Sequence, residues 1–176
     1  VVSYWHQRFP WPNYDNTATA NTIVNEVVSQ INAHGQPMLG VIESLEACKR
    51  LGLKIGLATS SSSLIIEAVL HKLAISHYFD AIESAENLDY GKPHPEVYLN
   101  CAKGLDIAPS QCIAIEDSFN GLIAARAASM QTVAIPAPHT ATQTKWVIAH
   151  HQLAHAGLLP ALLNKVAALL ERTASC

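Results

Sequence analysis

The chain has little charge, and neither sign dominates. Lys, Arg, Asp and Glu make up 14% of the 176 residues, and the formal net charge is -3 with the histidines counted neutral. Without a basic surplus, neither nucleic acid nor an anionic membrane surface is expected as a partner. No apolar run is long enough to span a bilayer. Hydrophobic residues still make up 49% of the chain, which predicts one folded domain, alone or with a small appendage, rather than disorder.

Closely spaced cysteine pairs are also missing. Cys48, Cys101, Cys112 and Cys176 form no C-x-x-C motif, and the first three fall in apolar segments. We therefore expect reduced, buried thiols in a cytoplasmic protein rather than disulfides or zinc ligands.

Several motifs that would place the chain in other classes are absent. It contains no G-x-G-x-x-G, which argues against a dinucleotide domain, and no G-x-S-x-G, which argues against an α/β-hydrolase. His150, His151 and His155 are close in sequence, but no acidic or thiolate residue follows them closely. We interpret them as solvated or edge-strand residues rather than as a metal cluster.

What the chain does contain is an alternation of short apolar runs and amphipathic segments. Strands are predicted at 54–59, 80–83, 112–116 and 132–135, and helices at 62–73, 95–103 and 119–129. This order is typical of βαβ units, and it predicts an α/β fold with a Rossmann-like parallel sheet and helices on both faces.

Further elements flank this alternation. Apolar residues recur at helical spacing over 23–31, and Gly35 closes that helix. A short extended piece is expected near 147–153 and an amphipathic helix over 158–171. The faces expected to be buried are Val41, Leu45 and Cys48 in a short helix after Pro37, and Leu64, Ile65, Ala68, Val69 and Leu73 in the helix at 62–73.

The first sixteen residues are aromatic and interrupted by proline. Trp5, His6 and Arg8 could contact a substrate from this stretch. Core packing of the aromatic rings is the preferred interpretation.

Polar residues lie at or near the ends of three predicted strands. Thr59 ends one strand, Lys92 follows the next by one loop, and Glu116 with Asp117 ends the third. Ligands of parallel sheets bind beyond these ends. Adjacent carboxylates would be costly if buried without a partner, and magnesium, which prefers carboxylate oxygens, explains them. The alternative is an ordinary helix start capped by Ser118, at which acidic residues are favoured by the helix dipole.

Each feature has an ordinary interpretation when it is taken alone. The serines after Thr59 could only cap a helix, and Lys92 could be a solvated loop residue. Together, however, a cation site and fixed donors for developing charge are what phosphoryl transfer requires. Gly121 would let the next helix approach this site closely.

Three stretches resemble the haloacid dehalogenase superfamily, and in particular its branch of sugar-phosphate phosphatases and β-phosphoglucomutase-like enzymes. They are LGLKIGLATSSSS, HYFDAIESAENLDYGKPHPEVYLNCAKGL and CIAIEDSFNGLIAARAASMQTVAIPAP. The resemblance covers 51–138 nearly without gaps and 1–50 more loosely.

The resemblance implies a phosphate site. Thr59 would bind the transferring phosphoryl group with help from Ser60 and Ser61. Lys92 would bridge the attacking carboxylate and the phosphoryl oxygens, and Asn120 would support the site. Thr59 and Lys92 are thereby the expected catalytic residues of this chain.

The resemblance also implies a Mg²⁺ site at Glu116 and Asp117, with Ser118 in support. The expected reaction is hydrolysis of a small phosphorylated sugar or sugar alcohol through an aspartyl-phosphate. The expected protein is a monomer or weak dimer.

One family element has no counterpart in the chain. The family opens with a strand that carries Asp-x-Asp, and no Asp-x-Asp occurs here. We therefore expect residues 1–36 to be part of a helical cap and residues 37–176 to be a core without its first, central strand. Such a core would leave the strands of Thr59 and Glu116 facing an empty slot with unpaired backbone groups, each of which costs about 1–3 kcal/mol if buried. An omitted segment or another chain could fill the slot, or the core could close up.

Two alternatives to a phosphatase stay open. Without the nucleophile this chain is expected to be inactive, so it could be a fragment that only binds phosphate or a partner. A phosphosugar mutase would use the same residues.

Overall fold

A computed structural model describes residues 1–174. In chain order the helices are α1 (Val2–Arg8), α2 (Asn16–His34), α3 (Val41–Arg50), α4 (Ser63–Lys72), α5 (Glu96–Gly104), α6 (Phe119–Ala127) and α7 (Leu159–Ala174). The strands are β1 (Gly56–Thr59), β2 (Ala81–Ser84), β3 (Ile113–Glu116), β4 (Gln131–Ala134) and β5 (His151–Gln152). None of these helices is long and apolar enough to cross a membrane.

The chain forms two compact units. One contains residues 1–36 and 62–74, and the other contains 37–61 and 75–176. Helix α4, which the prediction assigned to the core, groups with the first unit instead.

The first unit is helical because an apolar pattern is bounded by good caps. The carboxylate of Asp15 accepts a hydrogen bond from Ala18 N at 2.9 Å and so caps α2, which ends before Gly35 as predicted. Helix α2 packs along α4, and Lys72 Nζ donates to the carbonyl oxygen of Asn32 at 2.6 Å.

The aromatic N-terminus of this unit is helical, and its rings are less buried than predicted. The His6 ring stacks on Tyr14, with centroids 3.8 Å apart. Trp5 stacks on Phe9 but is 49% exposed. The prediction that the Trp5 ring packs in the core is therefore wrong.

The second unit contains the parallel strands, and the predicted α/β architecture is confirmed. Strand β1 pairs with β2, while β4 pairs with both β3 and β5, and every pairing is parallel. Helix α5 packs on β1 and β2, and α6 packs on β3 and β4. A core of α5, α6 and β3 side chains includes Val97, Ala102, Ala114, Ala124 and Ala125.

Strand β1 is two residues shorter than the predicted 54–59. Ile55 N donates to a carboxylate oxygen of Asp80 at 2.8 Å, so a side chain rather than a neighbouring strand satisfies this backbone group. Lys54 Nζ donates to Leu105 O at 2.6 Å. Regular pairing begins only at Gly56 and Ala81.

The predicted buried faces of α3 and α4 are partly wrong. In α3 the buried residues are Ser44 and Ala47, since Ser44 Oγ donates to Ala156 O at 2.7 Å and a small side chain allows this close approach. In α4 the buried residues are Ile66, Ala68 and Leu70. Of the predicted set for α4, only Ala68 is fully buried.

The C-terminal part of this unit also departs from the prediction. Residues Thr144–Ile148 form a 3₁₀ helix, and only His151–Gln152 of the expected extended piece form a strand. Cys48, Cys101 and Cys112 are free thiols, of which Cys101 alone is fully buried. Cys176 lies outside the described residues.

The strands of the second unit form two sheets rather than one. Among the described residues, β1 pairs only with β2 and β3 only with β4, so β1 and β3 are not joined. Ile115 on β3 is 41% exposed. The core has therefore not closed up by pairing the strands of Thr59 and Glu116. That another segment or chain lies between them stays a prediction.

Candidate active site

A cleft of about 470 Å³ lies at the carboxyl ends of β1 and β3. Its walls contain most of the predicted site residues, and the full lining is Leu57, Ala58, Thr59, Ser60, Ser61, Lys92, Ile115, Glu116, Asp117 and Ser118. The fold thus brings together residues that are up to 61 positions apart in the chain. Asn120, in the first turn of α6, is exposed and is not among the lining residues.

Hydroxyl groups of Thr59 and Ser84 hold the loop after β1 in place. Thr59 Oγ1 accepts a hydrogen bond from Ser61 N at 3.1 Å. The carbonyl oxygen of Ser61 accepts one from Ser84 Oγ on β2 at 2.7 Å. Because Thr59 Oγ1 is an acceptor here, its own proton can be donated to an anion in the cleft.

Lys92 places a cation in the wall of the cleft. Its side chain is 13% exposed, and Nζ forms an ion pair with Glu116 Oε1 at 2.6 Å. Nζ also donates to Ala58 O at 3.1 Å and to the Tyr98 hydroxyl at 3.2 Å. The peptide bond that follows, between Lys92 and Pro93, is cis.

Glu116 is the most buried charged group of the site, with a side chain that is 6% exposed. Oε1 accepts hydrogen bonds from Lys92 and Tyr98, and Oε2 accepts them from Ser118 Oγ at 2.9 Å and Ser118 N at 3.2 Å. Burial alone would raise the Glu116 pKa, but these donors leave the pKa below its ordinary value. The carboxylate is therefore held in its charged form.

Two neighbours explain how Glu116 is accommodated. A Cβ at Gly121 would overlap the Glu116 carboxylate, so the close approach expected at this glycine is observed. Burial and the nearby Glu116 charge raise the Tyr98 pKa above its ordinary value, so the phenol keeps its proton.

Asp117 has a different environment from Glu116. It is exposed, and among residues 1–174 it takes part in no hydrogen bond or ion pair. Its oxygens are thus open to a ligand in the cleft. Within the described part of the chain, no three His, Cys, Asp or Glu side chains are grouped as a metal site, and this includes His150, His151 and His155.

The chemistry of the acidic pair fits Mg²⁺ nevertheless. Magnesium is commonly held by one or two carboxylates, with waters and substrate phosphate as its other ligands. Asp117 supplies an unengaged carboxylate, whereas Glu116 would have to exchange a hydrogen bond or act through water. Ser118 was interpreted both as a helix cap and as a support for the acidic pair, and it does both. Its hydroxyl accepts a hydrogen bond from Gly121 N at 3.0 Å, which caps α6, and it donates one to Glu116.

Sequence reasoning missed two hydroxyl groups of the site, on Tyr98 and Ser84. Tyr98 occurs in a run of buried residues on α5 with Val97, Cys101 and Ala102. A phenol at such a position needs a hydrogen-bond partner, and this was the signal that could have identified it. Ser84 carries no comparable signal, because it ends a short strand in an ordinary polar setting.

Comparison with known proteins places this chain in a defined family. The family model for haloacid dehalogenase-like hydrolases matches residues 4–129. Hexitol phosphatase B of Escherichia coli K12 is 38% identical over 153 residues, which are 87% of this chain and 69% of that protein.

Solved structures give the same result. The β-phosphoglucomutase of Clostridium difficile superimposes with a TM-score of 0.78 at 27% identity, over 97% of this chain and 75% of the other. CbbY from Rhodobacter sphaeroides, in complex with xylulose-(1,5)bisphosphate, gives a TM-score of 0.75 at 25% identity over 84% and 67%.

The parallel α/β fold of this chain is therefore the one that these relatives share. The chain belongs to the haloacid dehalogenase-like hydrolases.

Proposed function

We propose that this protein is a magnesium-dependent phosphatase that acts on a small sugar phosphate or sugar-alcohol phosphate. The observation that carries the proposal is the convergence of Thr59, Lys92 and the pair Glu116–Asp117 on one cleft. The related hexitol phosphatase and the bisphosphate complex of CbbY support the substrate class.

In this proposal the phosphoryl group binds between the β1 loop and Lys92. The Thr59 hydroxyl donates to a phosphoryl oxygen, and Ser60 and Ser61 line the same loop. The Lys92 ammonium offsets the charge of the equatorial oxygens, which rises in the transition state. Asn120 would act from outside the cleft lining.

The attacking carboxylate is proposed to stand on an extended segment between β1 and β3. The support is that both strands border the cleft and are not paired with each other among the described residues. Attack by an aspartate carboxylate on phosphorus forms an aspartyl-phosphate and breaks the bond between phosphorus and the substrate oxygen. That oxygen takes up a proton as the dephosphorylated sugar or sugar alcohol leaves, and water then hydrolyses the phosphoenzyme to release phosphate. Glu116 is unsuited to attack because both of its oxygens are already engaged.

The acidic pair is proposed to hold the cation. When bound, Mg²⁺ would neutralise phosphoryl charge and orient the phosphate. Asp117 offers its open carboxylate, while Glu116 fixes the position of Lys92 beside it.

Residues 1–36 are proposed to be part of a cap that contributes to substrate choice. Their separation from the second unit supports this assignment. A cytoplasmic location and a monomer or weak dimer belong to the same proposal, and the free thiols of Cys48, Cys101 and Cys112 accord with the location.

The test is phosphate release from a panel of sugar and hexitol phosphates, measured with the protein expressed from the start of its reading frame. Wild type should require Mg²⁺, and Asp117→Asn should lose most of its activity and need more Mg²⁺. Asp106→Asn is the matched control, because Asp106 lies in a turn outside the cleft with a positive φ that Asn tolerates. Equal rates for the two variants would refute the metal assignment.

A mutase is the second candidate, favoured by the likeness to β-phosphoglucomutase. Following ³¹P spectra of the reaction separates the two, since a mutase moves phosphate to another position of the sugar and a phosphatase releases it. The third candidate is a protein that binds phosphate or a partner without turnover. It predicts saturable phosphate binding with neither product.

A further inference from the structure

Tyr98 reaches the active-site cluster from helix α5, outside the loops and strand ends that carry the other polar residues. The residue is 6% exposed, and its ring belongs to the apolar cluster with Val97, Ala102 and Ala114. Only its hydroxyl is polar, and this oxygen lies against Lys92 and Glu116.

The hydrogen bonds of Lys92 are complete only with Tyr98. An ammonium group has three hydrogens, and Nζ has three acceptors, on Glu116, Ala58 and Tyr98, at 2.6, 3.1 and 3.2 Å. Nζ also lies 4.8 Å from the centroid of the Tyr98 ring. The three acceptors come from β3, β1 and α5, so they hold the ammonium at one point.

The Tyr98 hydroxyl links the cation to its counter-ion. It accepts from Lys92 and donates to Glu116 Oε1. Phenylalanine would fill the same apolar space, so packing does not require the hydroxyl. A buried hydroxyl without partners is costly, whereas here it completes a closed polar network.

We propose that Tyr98 is a positioning residue of the phosphoryl-transfer site, and that its hydroxyl fixes the point from which the positive charge of Lys92 acts on the phosphoryl group. The proposal rests on the proposed function. Charge stabilisation is effective when the charged group is held in place before the reaction. Without the hydroxyl, the ammonium is held only by Glu116 and one backbone carbonyl.

The test compares Tyr98→Phe with Tyr78→Phe in the protein expressed from the start of its reading frame. Tyr78 lies in a 3₁₀ helix outside the cleft, so its variant loses the same atom elsewhere. Tyr98→Phe should lower kcat and kcat/KM together, by about tenfold, with KM within about twofold. Tyr78→Phe should stay within about twofold of wild type. A change in KM alone, or no change, would overturn the proposal.

The second measurement asks whether Tyr98 acts through Lys92. Adding Tyr98→Phe to Lys92→Met should reduce the residual rate by less than about twofold, because the group being positioned is gone. A full tenfold further loss would overturn the proposal.

Failure of the proposed function has a different signature, namely no turnover by wild type. Denaturation midpoints of the two single variants and the double variant then decide the positioning proposal. The midpoint shifts must be clearly non-additive, and additive shifts would overturn it.

Discussion

Replacing Gly121 by alanine should destabilise the protein, although the same change in most helices stabilises them. Alanine is favoured over glycine in a helix by about 1 kcal/mol. At Gly121, however, the new Cβ would overlap the Glu116 carboxylate. The carboxylate must move, and moving it breaks its contacts with Lys92, Tyr98 and Ser118.

The expected size follows from these two opposing effects. Breaking a buried ion pair costs about 3–5 kcal/mol, and the helix preference returns about 1 kcal/mol, which leaves a net loss of about 2–4 kcal/mol. Activity should fall as well, because Lys92 is positioned by Glu116.

Guanidinium denaturation monitored by circular dichroism measures the effect, with Gly104→Ala as the matched control. Gly104 ends α5, and a Cβ there would come within 3.2 Å of the Ala81 methyl group, a contact that a slight shift relieves. The control should change stability by no more than about 1 kcal/mol. If Gly121→Ala were as stable as wild type or more stable, the proposed packing of Glu116 on α6 would be refuted.

Three further predictions concern single groups. Ser118→Ala removes the cap of α6 and a donor to Glu116, and should lower the free energy of unfolding by about 1–2 kcal/mol in urea denaturation. Burial raises the pKa of Cys101 to about 11, so iodoacetamide at pH 8 should alkylate it far more slowly in the folded than in the denatured protein, as followed by peptide mass spectrometry; equal rates would contradict its burial. Partial desolvation and the Arg126 guanidinium lower the pKa of the exposed His150 ring, which accepts a hydrogen bond from Thr132 N at 2.9 Å. The neutral His150 ring therefore contributes to stability above the unfolded pKa of 6.5, and this stability is lost as the pH falls below 6.5. His150→Asn should flatten the dependence of the melting temperature on pH below 6.5.

The strand ends of the site were predictable because their residue types conflict with their surroundings. Glu116 and Asp117 end an apolar run, and such a placement has few inexpensive explanations. Thr59 and Lys92 gained meaning only from their order relative to that pair. The parallel pairing was also predictable, because the alternation of strands and helices is visible in the local periodicity of apolar residues.

Features that depend on packing between distant segments were not predictable from local patterns. The choice of Ser44 over Leu45 as a buried residue of α3 follows from its hydrogen bond to Ala156, which lies 112 residues away. The late start of β1 follows from the side chain of Asp80. Tyr98 belongs to the same group, because its partners come from two other elements.

The difference between Glu116 and Asp117 is a further result that the sequence did not contain. The two residues are adjacent and were assigned one role. In the structure, Glu116 is buried with both oxygens engaged, whereas Asp117 is exposed and without a hydrogen bond among the described residues. Both residues line the cleft, but Glu116 is the last residue of β3 whereas Asp117 follows the strand.

The most direct test of the central claim is magnesium-dependent phosphate release from 2-deoxyglucose 6-phosphate and a hexitol phosphate. The protein expressed from the start of its reading frame is compared with a variant that carries both Lys92→Met and Asp117→Asn. A phosphoryl-transfer site in this cleft predicts release by wild type that stops in EDTA and returns with Mg²⁺, and none by the double variant. Magnesium-dependent release that survived both substitutions would contradict the account.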